Sequence, residues 1–141
     1  MSLSVEISRE ALENMINDLE GAYPDEGCGF LFGRDEVVRN IVEARKVVNS
    51  KEGDKRRRFE VQPIDYMKAE LYADENNLQL VGIYHSHPNH PARPSETDLK
   101  QAFPVFSYII VSVNDGKAGD ITSWQLNDSG DFEEEKIINK P

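Results

Sequence analysis

Cysteine occurs once in the 141 residues, at Cys28, so the chain can form no internal disulfide and no Cys-rich zinc cluster. A reducing compartment suits such a chain, and a cytoplasmic location is expected. Positive charge is also scarce. Sixteen Lys and Arg stand against 26 Asp and Glu, a formal net charge of −10. Nucleic acids and anionic membranes are held by clustered Lys and Arg, so neither is an expected partner. The opening MSLSVEISRE lacks the basic and apolar regions of a signal peptide. No apolar run approaches the roughly 18 residues of a membrane span. What remains is polar but not disordered, because hydrophobic residues, 38% of the total, recur along the whole length. One domain over residues 1–141 is expected, since two would each have a marginal core.

Periodicity supplies the elements. Ala11, Leu12, Met15, Ile16 and Leu19 have helical spacing over residues 9–19, with Ser8 as N-cap, Gly21 as stop and Pro24 beyond. Residues 27–33 and 36–48 read as strands joined by a turn at Arg34-Asp35, and a polar loop spans 49–57. A short strand is expected around Phe59–Val61. Pro63 suits the first turn of a helix over 63–75, with Ile64, Met67, Leu71 and Tyr72 as its inner stripe. Residues 78–87 place Leu80, Val81, Ile83 and Tyr84 on both alternating faces, as in a central strand covered twice, and Pro88 should end it. A short helix follows Ser95. Strands at 106–113, 121–126 and 131–138 follow, with turns at Asn114-Asp115-Gly116 and Asn127–Gly130. The expected fold is mixed α+β, a β-sheet with helices packed on it.

His85 and His87 lie two apart at the end of the central strand, so a regular pleat sends both imidazoles to one face and Ser86 to the other. Two neutral imidazoles can grip one divalent cation. Asp98, eleven residues on, could complete three protein ligands plus a water, the coordination of a catalytic zinc. The bland alternative is two histidines packed or exposed at a strand end. Ser95-Glu96-Thr97-Asp98 likewise has the outline of a capping box. The two readings are compatible, because a serine hydroxyl can accept from a helix N–H and still donate its own proton.

Taken together, His85-Ser86-His87-Pro88, seven further residues and then Ser95-x-x-Asp98 resemble the JAMM/MPN-plus metalloprotease signature at its full spacing. Glu26-Gly27-Cys28-Gly29-Phe30-Leu31-Phe32-Gly33 resembles the upstream segment that carries that family's glutamate. The similarity continues through Arg58-Phe59, the next helix and Ser107–Val113. HSHPNHPARPSETD is most similar to small bacterial members that act on ubiquitin-like sulfur-carrier proteins, some of which release a cysteine from the carrier's C-terminal glycine. The resemblance implies an MPN-type, cytidine-deaminase-like fold. It also implies one Zn2+ per chain on His85, His87 and Asp98, and a zinc-dependent peptidase. Such an ion brings its bound water to a pKa of about 7. Glu26 would carry that water's proton to the leaving amine, and Ser95 would help hold the oxyanion.

The implied substrate is an amide after the C-terminal glycines of a ubiquitin-like sulfur carrier. A phage- or cell-wall-directed JAMM peptidase and a noncatalytic MPN scaffold are the alternatives. A zinc deaminase is excluded, because its P-C-x-x-C ligands need more than one cysteine. The sequence is open to a homodimer. Cys28 next to Glu26 reads as a buried structural thiol. His90 reads as a loop residue, Ser86 as a hydrogen-bonding residue of the strand's other layer, and Trp124 as sheet packing. Arg56-Arg57-Arg58, the one basic cluster, reads as a solvated loop end that could steer an acidic carrier. Asp131 to Glu135 reads as a solvated outer strand.

Overall fold

The computed structural model describes residues 4–56 and 58–139. Seven strands and three helices follow in the order β1 (Ser4–Ile7), α1 (Arg9–Ala22), β2 (Cys28–Asp35), β3 (Arg39–Val47), α2 (Pro63–Glu75), β4 (Gln79–Pro88), α3 (Glu96–Gln101), β5 (Ser107–Asn114), β6 (Lys117–Leu126) and β7 (Phe132–Asn139). The strands close into a barrel in the order β1-β3-β2-β4-β5-β6-β7. Mixed α+β is therefore the fold, with the sheet closed rather than open. Closure comes from β1, which the sequence reading passed over. It pairs in parallel with β3 on one side and β7 on the other.

β4 is the covered strand expected. Its neighbours are antiparallel β2 and parallel β5. Leu31 of β2 faces Gly82, and Phe32 faces Leu80, so Val81 bulges. The bulge resets the pleat, and Val81 and Tyr84 fall on one face while Leu80 and Ile83 fall on the other. Gly82 is required here, because a Cβ would sit 2.1 Å from the Ser107 carbonyl oxygen. The α1 face is mainly aliphatic: Ala11, Met15 and Leu19 meet Leu31, Ile41, Ile109 and Val111. The α2 face is rich in rings, with Phe30, Phe32, Phe59 and Tyr108 among its buried members.

Local chemistry sets the element ends. Ser8 caps α1 by accepting the Ala11 N–H at 3.1 Å. Gly21 does not stop that helix, which runs to Ala22. Tyr23, placed before Pro24, leaves the helical region at φ −51°, ψ 135°. The β2–β3 turn lies beyond Asp35 rather than at Arg34-Asp35, and Arg39 pairs with the Asp35 carboxylate at 3.1 Å across it. Phe59–Val61 is not a strand. Its hydrogen bonds run through the Asn49 amide, which accepts the Glu60 N–H, and through Ser50, whose N–H and hydroxyl both donate to the Glu60 carbonyl.

Pro63 does open α2, but the expected inner stripe is corrected. Ile64, Met67 and Leu71 are 43%, 54% and 54% exposed, and Ala69 and Ala73 face the core. Small residues let the helix lie close, while Tyr66 and Tyr72 meet Phe30 and Phe32 edge to face at 5.3 and 5.0 Å. The β5–β6 turn falls where expected, with Asp115 and Gly116 at positive φ, though β6 begins earlier, at Lys117. The outer-strand reading of Asp131 to Glu135 holds in part: Asp131, Glu133 and Glu134 are exposed, and Phe132–Glu135 pair with β6 while β1 pairs with Lys136–Asn139. Glu135 is the exception, buried and accepting from Ser123 Oγ at 2.9 Å and Gln125 Nε2 at 2.7 Å.

Candidate active site

From Gly82 onward the pleat of β4 is regular, and it delivers His85 and His87 to the α2 face as expected. Ser95 begins α3 and brings Asp98 to them. The three side chains meet. His85 Nε2 lies 3.2 Å from His87 Nε2 and 3.3 Å from Asp98 Oδ1, and His87 Nε2 lies 3.2 Å from Asp98 Oδ2. They form the one His/Asp/Glu/Cys group among the described residues whose ligand atoms all converge. Tetrahedral zinc with bonds of about 2.0–2.1 Å needs ligand atoms about 3.3–3.4 Å apart, so the donor set fits that ion.

The surroundings hold each group. His87 Nδ1 donates to the Pro91 carbonyl at 2.8 Å, which leaves the Nε2 lone pair toward the triad. Phe59 stacks on the His85 ring at 4.5 Å. His85 Nδ1 is buried with no hydrogen-bond partner among the described residues. Asp98 serves two roles at once. Its Oδ2 accepts the Ser95 N–H at 2.9 Å while Ser95 Oγ accepts the Asp98 N–H at 3.0 Å, a complete capping box. Burial opposes an ionised Asp98, but the two imidazoles and the Ser95 N–H outweigh it and hold its carboxyl well below the usual range. Burial also acts to lower His87, yet its bonds to Asp98 and Pro91 raise it.

Glu26 is 5% exposed and lines a cavity of about 470 Å3 together with His87, His90, Pro91, Arg93 and Ser95. Burial pushes its carboxyl up to about 8, partly countered by His87. Its place depends on Ser86, on the opposite face of β4. Ser86 Oγ accepts the Gly27 N–H at 2.9 Å, and the Ser86 N–H donates to the Gly27 carbonyl at 3.1 Å. This two-point clamp, with the Lys55 carbonyl that accepts the Glu26 N–H at 2.6 Å and the Asn49 amide that donates to the Glu26 carbonyl at 2.9 Å, holds Glu26 beside His87. Neither it nor the Phe59 stack has a local signature in sequence, since their partners lie 59 and 26 positions apart.

The remaining candidates separate cleanly. Cys28 is buried, its Sγ contacts the Val47 carbonyl at 3.7 Å, and burial followed by Glu26 pushes its thiol up to about 12. It is a packing residue in this environment. His90 is exposed and stands outside the triad, on the cavity rim. Arg56 and Arg58 are exposed, and Arg57 lies outside the described residues. Trp124 donates to Thr122 Oγ1 at 2.8 Å within β6. A second cavity, about 600 Å3, meets the triad from the other side at His85 and Asp98, between walls that include Phe59, Tyr66, Phe103 and Tyr108.

A closed mixed barrel carrying this triad beside a buried glutamate defines a class, and comparison bears it out. The family model for prokaryotic homologs of the JAB domain matches residues 8–127, and the fold is that of JAB1/MPN domain proteins. The chain belongs to this family. It is similar to a desampylase of Pyrococcus furiosus, 34% identical over 115 residues, 80% of this chain and 75% of the relative. It is also similar to a probable TtuB-protein conjugate cleaving protease of Thermus thermophilus, 32% identical over 79% of this chain and 72% of that one. The solution structure of a Desulfitobacterium hafniense protein, 31% identical, matches 96% of this chain and 92% of its own with a TM-score of 0.83. Among the described residues no helix is long and apolar enough to cross a membrane.

Proposed function

We propose that the chain is a zinc-dependent peptidase, a single domain acting in the cytoplasm. It hydrolyses the amide bond at the C-terminal glycine end of a ubiquitin-like sulfur-carrier protein. The observation that carries this reading is convergence. Glu26, Ser95 and the His85–His87–Asp98 triad come from three separate segments: Glu26, His87 and Ser95 line one cavity, and His85 and Asp98 converge on His87 from the other. The substrate class is supported by the relatives, one named a desampylase and another a probable TtuB-protein conjugate cleaving protease. A noncatalytic scaffold would have no use for all five groups together.

His85, His87 and Asp98 would hold one Zn2+, which when bound supplies Lewis-acid polarisation and a water of lowered pKa. Glu26 takes the proton from the attacking water and returns it to the departing amine, a role suited to a carboxyl whose pKa lies near neutrality. Ser95 is already an acceptor for the Asp98 N–H, so its own hydroxyl proton remains to be donated to the scissile carbonyl oxygen as charge develops there. Pro91 keeps the His87 ring in one tautomer, and Ser86 keeps Glu26 in reach. The test is mass spectrometry of carrier–amino-acid conjugates incubated with zinc-loaded protein, with and without a chelator. Release of carrier ending in glycine, abolished by chelation, is the expected result. Intact conjugate under both conditions would overturn it.

A further inference from the structure

The two cavities beside the triad differ in chemistry, and the difference assigns their occupants. The larger mixes rings such as Phe59 and Tyr108 with Glu60, Asp98 and Lys100 in its wall, whereas the smaller carries Glu26, Ser95, His90 and Arg93. On the reading above, on which this inference rests, Glu26 delivers a proton to the departing amine. The leaving group therefore occupies the cavity that Glu26 lines. Water is the co-reactant: the C–N bond breaks, the hydroxyl joins the acyl carbon, and the amine departs with the proton Glu26 carries.

Arg93 is the cationic side chain in that cavity with no evident duty. Arg9, Arg39 and Arg45 each pair with a carboxylate, at 3.3, 3.1 and 3.3 Å. Arg93 is exposed, and its guanidinium has no hydrogen-bond or ion-pair partner among the described residues. Its backbone, by contrast, is anchored to the site. The Pro91 carbonyl that receives His87 Nδ1 at 2.8 Å also receives the Arg93 N–H at 2.9 Å. Next to it, Ala92 is buried and its carbonyl accepts from Thr122 Oγ1 at 2.6 Å. An unpaired guanidinium thus stands on a pinned loop two residues before Ser95. A guanidinium fork matches a carboxylate in two parallel hydrogen bonds.

We propose that Arg93 is a specificity-determining residue that receives the α-carboxylate of the leaving group. The conjugates favoured are then those in which one free amino acid follows the carrier's last glycine. A lysine side chain of a protein, whose own carboxyl is tied up in a peptide bond, offers Arg93 nothing.

The test uses a ubiquitin-like protein ending in Gly-Gly, extended by one alanine as the free acid or as the carboxamide. These two differ only in the charge Arg93 would read. Wild-type protein should cleave the free acid with a kcat/KM about 10–100-fold above the carboxamide, the usual worth of a charge-assisted bond. R93Q should bring that ratio close to one, and R93K should fall between. In E26Q protein, which holds substrate uncleaved, the free acid should bind about tenfold or more tighter than the carboxamide. Equal cleavage of both by wild type would overturn the role of Arg93 and leave the peptidase standing. Cleavage of neither would remove the peptidase reading, and this inference with it.

Discussion

Beneath α1 the sheet meets Ala11, Met15 and Leu19 against Leu31, Ile41, Ile109 and Val111, a mainly aliphatic layer lined by residues almost wholly out of water. Beneath α2 it meets rings, and the helix contributes little more than Ala69, Ala73 and the flanks of two tyrosines while Ile64, Met67 and Leu71 face outward. The same strand, β4, serves both. Its α1 side ends in Ser86, tied to Gly27, and its α2 side ends in His85 and His87. One face therefore holds the fold and helps position the glutamate, and the other carries the two imidazoles and is left open as a cavity. The lesson is that a site can be placed with accuracy on a thinly covered face, provided the opposite face is packed densely.

The largest effect is expected at Glu26, the proposed proton carrier, whose neighbour Gly27 is tied to the densely packed face. E26Q should keep metal and fold while lowering turnover by about 10²–10⁴-fold, as loss of a positioned general base does. The same variant has a signature in metal-free protein. Folding raises the Glu26 carboxyl from 4.5 to about 8, so its share of stability is intact below pH 4.5 and is lost as pH rises to about 8. E26Q should therefore melt higher than wild type at pH 8 and at the same temperature at pH 4. Asp98 works with the opposite sign. Its lowered carboxyl stabilises above its ordinary range, and that contribution is lost on acidification.

Ser95 comes next in size. S95A should reduce turnover by about 10²–10³-fold through the missing oxyanion donor. It should also cost about 1 kcal/mol of stability through the cap. S95D keeps a cap acceptor, so its melting temperature should change little while its activity is at least as low. Wild-type rates in S95D would reduce Ser95 to a helix cap.

Two methionines then measure the faces directly. M15A empties a position that is 0% exposed, and should cost about 2–5 kcal/mol in denaturant unfolding with the metal site intact. M67A, on the exposed side of α2, should stay within about 0.5 kcal/mol of wild type. Equal costs would mean that the α2 face is as tightly packed as the other.

How much of this was legible beforehand follows the same division. His85, His87, Ser95 and Asp98 were readable because a strand period and a helix start fix them by spacing, and the structure brings them together. Glu26 was readable through its segment. The α1 stripe was legible too, because its aliphatic residues follow the helical period. The α2 stripe was misread for a physical reason. Ile64, Met67 and Leu71 satisfy that period as well, but close helix approach selected alanines and the tyrosine rings supplied the apolar contact. β1 was missed since four residues give little alternation and its partners lie more than 30 and 130 positions away. Clamps such as Ser86–Gly27, His87–Pro91 and Phe59–His85 exist only once the chain is folded.

On the proposed reading, β4 and α3 jointly build a metal site. Metal content and turnover, measured on the same samples of wild type and of the H85A/H87A double variant, decide this. Wild-type protein is expected to be active with about one zinc per chain, and the double variant to be folded with neither metal nor activity, because a lone carboxylate does not hold zinc against water. Undiminished zinc in the double variant would contradict it.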